Sequence, residues 1–151
     1  MAIRKLLAPA GAAFALALSA GCASLDHSAS AAAVKAAGPQ RVVMQVSDAD
    51  PGKWNLAFNN ARNIQSDLGA KNVEVEIVAY GPGIGMLKSG SAVASRIDEA
   101  TLGGVKVVAC ENTMHAQKLK KSDMVSGIEY VPAGVVEIMK RQQEGWSYIR
   151  P

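Results

Sequence analysis

The stretch Val73–Gly85, VEVEIVAYGPGIG, decides the fold class. It begins by alternating apolar and acidic side chains, then turns wholly apolar from Ile77 onward. A strand shows that change when it runs into a sheet covered on both faces. The glycine-rich run Gly81–Gly85 that follows reads as a loop at the strand's carboxyl end.

The same pattern repeats on either side. Arg41–Ser47 (RVVMQVS) is a β-branched, apolar strand candidate. Asp50 suits the N-cap and Pro51 the first turn of a helix. In that helix Trp54, Ala57, Phe58, Ala61, Ile64 and Leu68 recur at three- and four-residue steps, and Gly69 stops it. Ser91–Leu102 reads as a second helix with Val93, Ile97 and Ala100 on one face, ended by Gly103 and Gly104. Val105–Ala109 is a third strand with Cys110 at its exit, and Asn112 caps a short helix to about Lys120. Gly127–Val131 is a fourth strand. Pro132 opens a helix through Gln143 with Val135, Val136 and Met139 inward, Gly145 ends it, and Trp146–Ile149 is a short last strand.

Such alternation predicts an α/β fold of parallel strands joined by right-handed crossovers, with helices on both faces. It leaves the strand order open. Ligands of such sheets bind outside the carboxyl ends of the strands. Four segments belong there: Asp48–Asp50, Gly81–Gly85, Cys110–His115 and Pro132–Gly134.

The chain of 151 residues suits one domain, and 49% apolar residues are ample for its core. Only 5% are aromatic, so aliphatic side chains build that core. Residues 1–21 read as an export leader: Arg4 and Lys5 precede the apolar run Leu6–Ala20, which Pro9 and Gly11 interrupt. Leu18-Ser19-Ala20-Gly21-Cys22 resembles a bacterial lipobox, with Ser19 where a Leu is usual. The expectation is therefore a lipid on Cys22, an Ala- and Ser-rich tether over 22–40, and a folded domain over 41–151 in the periplasm, held to a membrane by the lipid. Ordinary cleavage nearby, leaving Cys22 a plain thiol, is the alternative. Without the leader, 14 basic and 13 acidic residues remain, a net of +1, and no basic stripe interleaved with aromatics calls for nucleic acid.

Cys110 is the sharpest chemical candidate. A thiol between a buried strand and a helix start faces unpaired N–H groups that stabilise the nucleophilic thiolate. Neighbouring Glu111 opposes that ionisation. A buried cysteine that merely packs is the competing reading. Gly81 and Gly83 offer bare backbone to a ligand or simply make a turn; they match no phosphate-binding motif. Asn112 is a pocket candidate, and His115 is either a base for the thiol or a surface residue. No set of side chains stands at metal-ligand spacing, and no cofactor is implied.

The segments VKVVACENTMHAQKLKKSDM (105–124) and VPAGVVEIMKRQQEGWSYIRP (131–151), with the GPGI loop and the strand-exit AC-x-N-T-M, resemble the DsrE/DsrF-like family over about residues 40–151. The resemblance implies a three-layer α/β/α sandwich around a mainly parallel five-stranded sheet, assembled as trimers or hexamers. In the sulfur-relay members a Cys at the corresponding strand exit carries persulfide sulfur between donor and acceptor proteins, and Cys110 matches it by position. The residues after Cys110 depart from the relay members' pattern, in which an Arg-Gly pair often follows. Two functions follow from the sequence: a sulfur carrier working through Cys110, or an oligomeric binding or scaffolding domain in which Cys110 is structural. A small-ligand or nucleotide binder using the glycine loop is a weaker third, since it lacks a phosphate motif.

Overall fold

In the computed structural model, which describes residues 38–151, Gln40–Val46 (β1) pairs in parallel with Val73–Ala79 (β2) over the full length of both. Lys106–Cys110 (β3) extends the sheet beyond β2, and Glu129–Val131 (β4) lies beyond β3. Ser147–Ile149 (β5) returns to the far side of β1. The sheet is five-stranded, in the order β4-β3-β2-β1-β5, and every pairing is parallel.

The order fixes the layers. From β1 to β4 the chain steps in one direction, so right-handed crossovers place the intervening helices on one face. These are Pro51–Leu68 (α1), Ala94–Leu102 (α2) and Glu111–Ala116 (α3). Their core joins Trp54, Phe58, Ile97 and Met114 to Met44, Ile77 and Val107 of the sheet. Among the described residues, only Gly134–Gln143 (α4) crosses the other face on the way to β5, where Ile138 and Trp146 cover Val43, Val78 and Val108. This is the expected α/β/α sandwich.

The first helix follows its sequence signals. Asp50 accepts a hydrogen bond from the Gly52 N–H at 2.8 Å, and Trp54, Ala57, Phe58 and Ala61 are buried. Leu68, the last residue of the helix, is exposed.

Other boundaries differ from expectation. Ser91–Val93 forms a turn, and α2 starts at Ala94. The helix after Cys110 ends at Ala116, because Gln117 caps it and Lys118 takes a left-handed φ of 56°. Its N-cap is Cys110 itself, not Asn112. Gly81–Leu87 is coiled into 3-10 turns instead of an open loop. The fourth strand starts at Glu129, Trp146 precedes β5, and α4 begins at Gly134, two residues after Pro132.

The clearest correction concerns the face of α4. Val135, Val136 and Met139 point to solvent, and the sheet-facing stripe is Gly134, Ile138 and Arg141. Two contacts set that rotation. A Cβ on Gly134 would stand 3.1 Å from Tyr80 Cβ and 3.3 Å from Cys110 Cβ, so the helix start lies directly on the sheet. A turn or two later Arg141 reaches the buried Glu76 carboxylate at 2.9 Å.

Candidate functional site

The site forms where β2, β3 and β4 end. Cys110 closes β3 and is only 5% exposed. Beside it β2 runs through Tyr80 into the 3-10 segment, and on the other side β4 runs through Pro132 and Ala133 into α4. The Asn112 N–H donates to the Pro132 carbonyl at 3.0 Å, which ties the exits of β3 and β4 together. Neither α3 nor α4 has a side chain capping its first N–H groups, and both helices begin at Cys110 or against it.

Those groups act on the thiol. Burial pushes the Cys110 thiol up, but hydrogen-bonding groups outweigh it and bring it below the ordinary range. They are first the Thr113 hydroxyl, then the backbone N–H groups of Gly134, Thr113 and Asn112. Donors of this kind favour the anion. None is a short, fully formed bond to the neutral sulfur, a weak acceptor; each strengthens when the sulfur takes negative charge. Glu111 does not counter them strongly, because its carboxylate pairs with Lys121 at 3.2 Å.

Of the segments expected at this edge, Gly81, Cys110–Thr113 and Pro132–Gly134 come together. The Gly81 N–H donates to Thr113 Oγ1 at 2.9 Å. Gly83 is turned elsewhere: a Cβ there would stand 2.2 Å from the Val46 carbonyl oxygen, so its bareness serves packing against β1. Asn112 and His115 are exposed, and no hydrogen bond joins the His115 ring to Cys110 among the described residues. Asp48 forms a separate cluster with Lys53 at 3.3 Å and Arg150 at 3.5 Å, and Asp50 serves as the cap. Cys22 lies outside the described residues. No group of His, Cys, Asp or Glu able to hold a metal occurs among the described residues.

Thr113 and Gly134 are functional neighbours that the sequence places in edge segments without marking either for a role. Thr113 stands three residues after the N-cap, where side chains turn back toward the capping position. Gly134 follows the Pro that ends β4, the place where an α/β helix begins. A shallow groove between α1 and α2, lined by Phe58, Arg62, Gln65, Arg96 and Glu99, also reaches Val105. It opens at the amino end of β3, about 16 Å along that strand from Cys110.

A small α/β/α domain with one thiol at a strand exit, ringed by N–H and hydroxyl donors, defines a class of fold and site. The chain belongs to the DsrE/DsrF-like family, which it matches over residues 40–151. A protein of unknown function from Methanobacterium thermoautotrophicum is 38% identical, with a TM-score of 0.71 over 74% of this chain and 99% of that one. The fold also matches a conserved protein of unknown function from Bacteroides thetaiotaomicron, at 14% identity and a TM-score of 0.61, over 74% of this chain and 95% of that one. The ychN protein from E. coli matches at 15% identity and a TM-score of 0.55, over 74% of this chain and 99% of that one. No curated protein matches the chain.

Proposed function

We propose that this protein is a sulfur-relay carrier that holds sulfane sulfur as a persulfide on Cys110. Membership of the DsrE/DsrF-like family suggests a relay-type function. What supports Cys110 is that donors from two chain segments, the starts of α3 and α4, outweigh its burial and favour the thiolate. The thiolate attacks the outer sulfur of a donor persulfide, R–S–SH. The donor S–S bond breaks, a Cys110 S–S bond forms, and the electron pair leaves on RS⁻. The sulfur passes on by the same exchange in reverse, with no net oxidation and no cofactor.

The proposal extends to the setting. A lipid on Cys22 would tether the carrier at a periplasmic membrane face, and donor and acceptor proteins would dock at the carboxyl edge of the sheet. Self-association into a trimer or hexamer finds support in the exposed Val135, Val136 and Met139.

The second reading, a binding or scaffolding domain with a structural thiol, draws on the 5% exposure of Cys110. Intact mass after incubation with a sulfane-sulfur donor separates the two. A carrier gains roughly 32 Da per reactive thiol, and Cys110→Ser abolishes the gain, because exchange requires an accessible thiolate. No adduct, with a thiol inert to alkylation until unfolding, establishes the structural reading. Membrane attachment that survives Cys22→Ser excludes the lipid tether.

A further inference from the structure

We infer that Thr113 is a positioning residue for the thiol chemistry: its hydroxyl, held by the Gly81 N–H, is fixed as a hydrogen-bond donor to sulfur on Cys110. The inference rests on Cys110 being the reactive group.

A threonine hydroxyl has one proton to give and two lone pairs to receive with. At Thr113 the Gly81 N–H, 2.9 Å away, occupies a lone pair. The proton must go elsewhere. In a helix it commonly goes to a carbonyl one turn back, as at Thr101, whose hydroxyl donates to Ile97 and Asp98. Thr113 has no such carbonyl bond among the described residues. It stands at the third helical position after Cys110, the N-cap, and its hydroxyl and N–H are both among the groups that favour the Cys110 thiolate.

The Gly81 contact does more than occupy a lone pair. An N–H donated to a hydroxyl oxygen polarises its O–H, and bonds in series strengthen one another. Gly81, with its left-handed φ of 54°, is thereby linked to Cys110 through Thr113, though it does not touch the sulfur. Gln117 holds the Gly81 carbonyl at 3.3 Å and steadies the turn. A persulfide bears its negative charge on the outer sulfur, and the same donor then steadies the inner one as it becomes the leaving group.

The test is the pH profile of Cys110 thiolate ultraviolet absorbance in the full chain, with Cys110→Ser as blank to remove any signal from Cys22. Thr113→Val keeps shape and removes the donor. The thiolate fraction at neutral pH is expected to fall roughly tenfold or more, as for one lost hydrogen bond to an anion. Thr113→Ser restores it, which a loss of packing alone would not allow. Should Thr113→Val fail to fold, Thr113→Ala takes its place in the comparison with Thr113→Ser. A Val or Ala profile that overlays wild type overturns the inference, even where Cys110 still takes up sulfur. A displaced profile in a protein that takes up no sulfur upholds it and overturns the carrier reading instead.

Discussion

At Cys110 the outcome turns on the balance between burial and a few donors, and Gly134 is where that balance is most exposed to change. Its N–H can act on the sulfur only because no side chain separates α4 from the sheet. A methyl group would meet Tyr80, Val78 and Cys110 at 3.1 to 3.3 Å. Gly134→Ala is therefore expected to push the start of α4 away, cost about 1–3 kcal/mol in urea unfolding, and raise the Cys110 thiol toward its ordinary range. A variant that loses stability yet keeps the wild-type thiolate profile would show that the Gly134 N–H does not act on the sulfur. Cys110 was legible in the sequence because a strand exit is a local feature. Its two principal partners were not, because each acts through a contact distant in sequence. Thr113 needs an N–H from Gly81, 32 residues away, and Gly134 matters only once β4 has been placed beside β3.

At the level of elements, α4 meets the sheet through a buried ion pair as well as through the apolar contacts of Ile138. Glu76 is fully buried on that face, with Arg141 Nη2 at 2.9 Å; Glu137 and Glu144 hold the same guanidinium. The ring of Trp146 lies under Arg141 at 4.8 Å and under Arg41 at 5.7 Å. Desolvation raises the Glu76 carboxyl, Arg141 draws it back and Glu137 adds to the rise, so the net direction is upward. Its oxygens lack well-aligned hydrogen bonds, although Arg141 Nη2 stands 2.9 Å away. Arg141→Met leaves this carboxylate without its counter-ion and is expected to cost about 3–5 kcal/mol; adding Glu76→Leu recovers most of the loss. The pH dependence has a definite sign. A carboxyl raised in the folded state contributes stability below its unfolded value, and that contribution fades as pH climbs through the folded value. Glu76→Gln lacks this term, so it gains relative to wild type as pH climbs above about 4.3, the unfolded value, in urea titrations. A constant difference across that range refutes the assignment. This network also explains why the helical stripe was misread. Periodicity puts Val135, Val136 and Met139 on an apolar face, but a buried acid of β2, Glu76, selects Arg141 for the interior. The alternation of VEVE gave no sign that Glu76 would be buried while Glu74 stayed exposed.

Over the whole molecule the two faces of the sheet are unequally covered, and that asymmetry follows from the strand order. Among the described residues three helices share one face, whereas the other receives α4 alone because a single return from β4 to β5 crosses it. Alternation of strands and helices was enough to show a parallel, two-sided sheet, but helix count per face depends on order, which local pattern does not encode. The thinner layer carries Val135 at 57%, Met139 at 49% and Val136 at 39% exposed, with Tyr148 of β5 on the same side of the sheet at 41%. In an isolated protomer this apolar surface faces water, and its removal from water favours self-association at roughly 25 cal/mol per Å². The proposed assembly therefore uses the α4 face. Val135→Asp combined with Met139→Asp is expected to reduce the mass in sedimentation equilibrium to that of one chain. Both side chains already meet solvent, so the fold itself should lose less than about 0.5 kcal/mol per substitution. Wild type sedimenting as a single chain would exclude self-association. An oligomer that withstands both aspartates would place the interface elsewhere, leaving the α4 face for a donor or acceptor protein that docks beside Gly134 and the buried thiol.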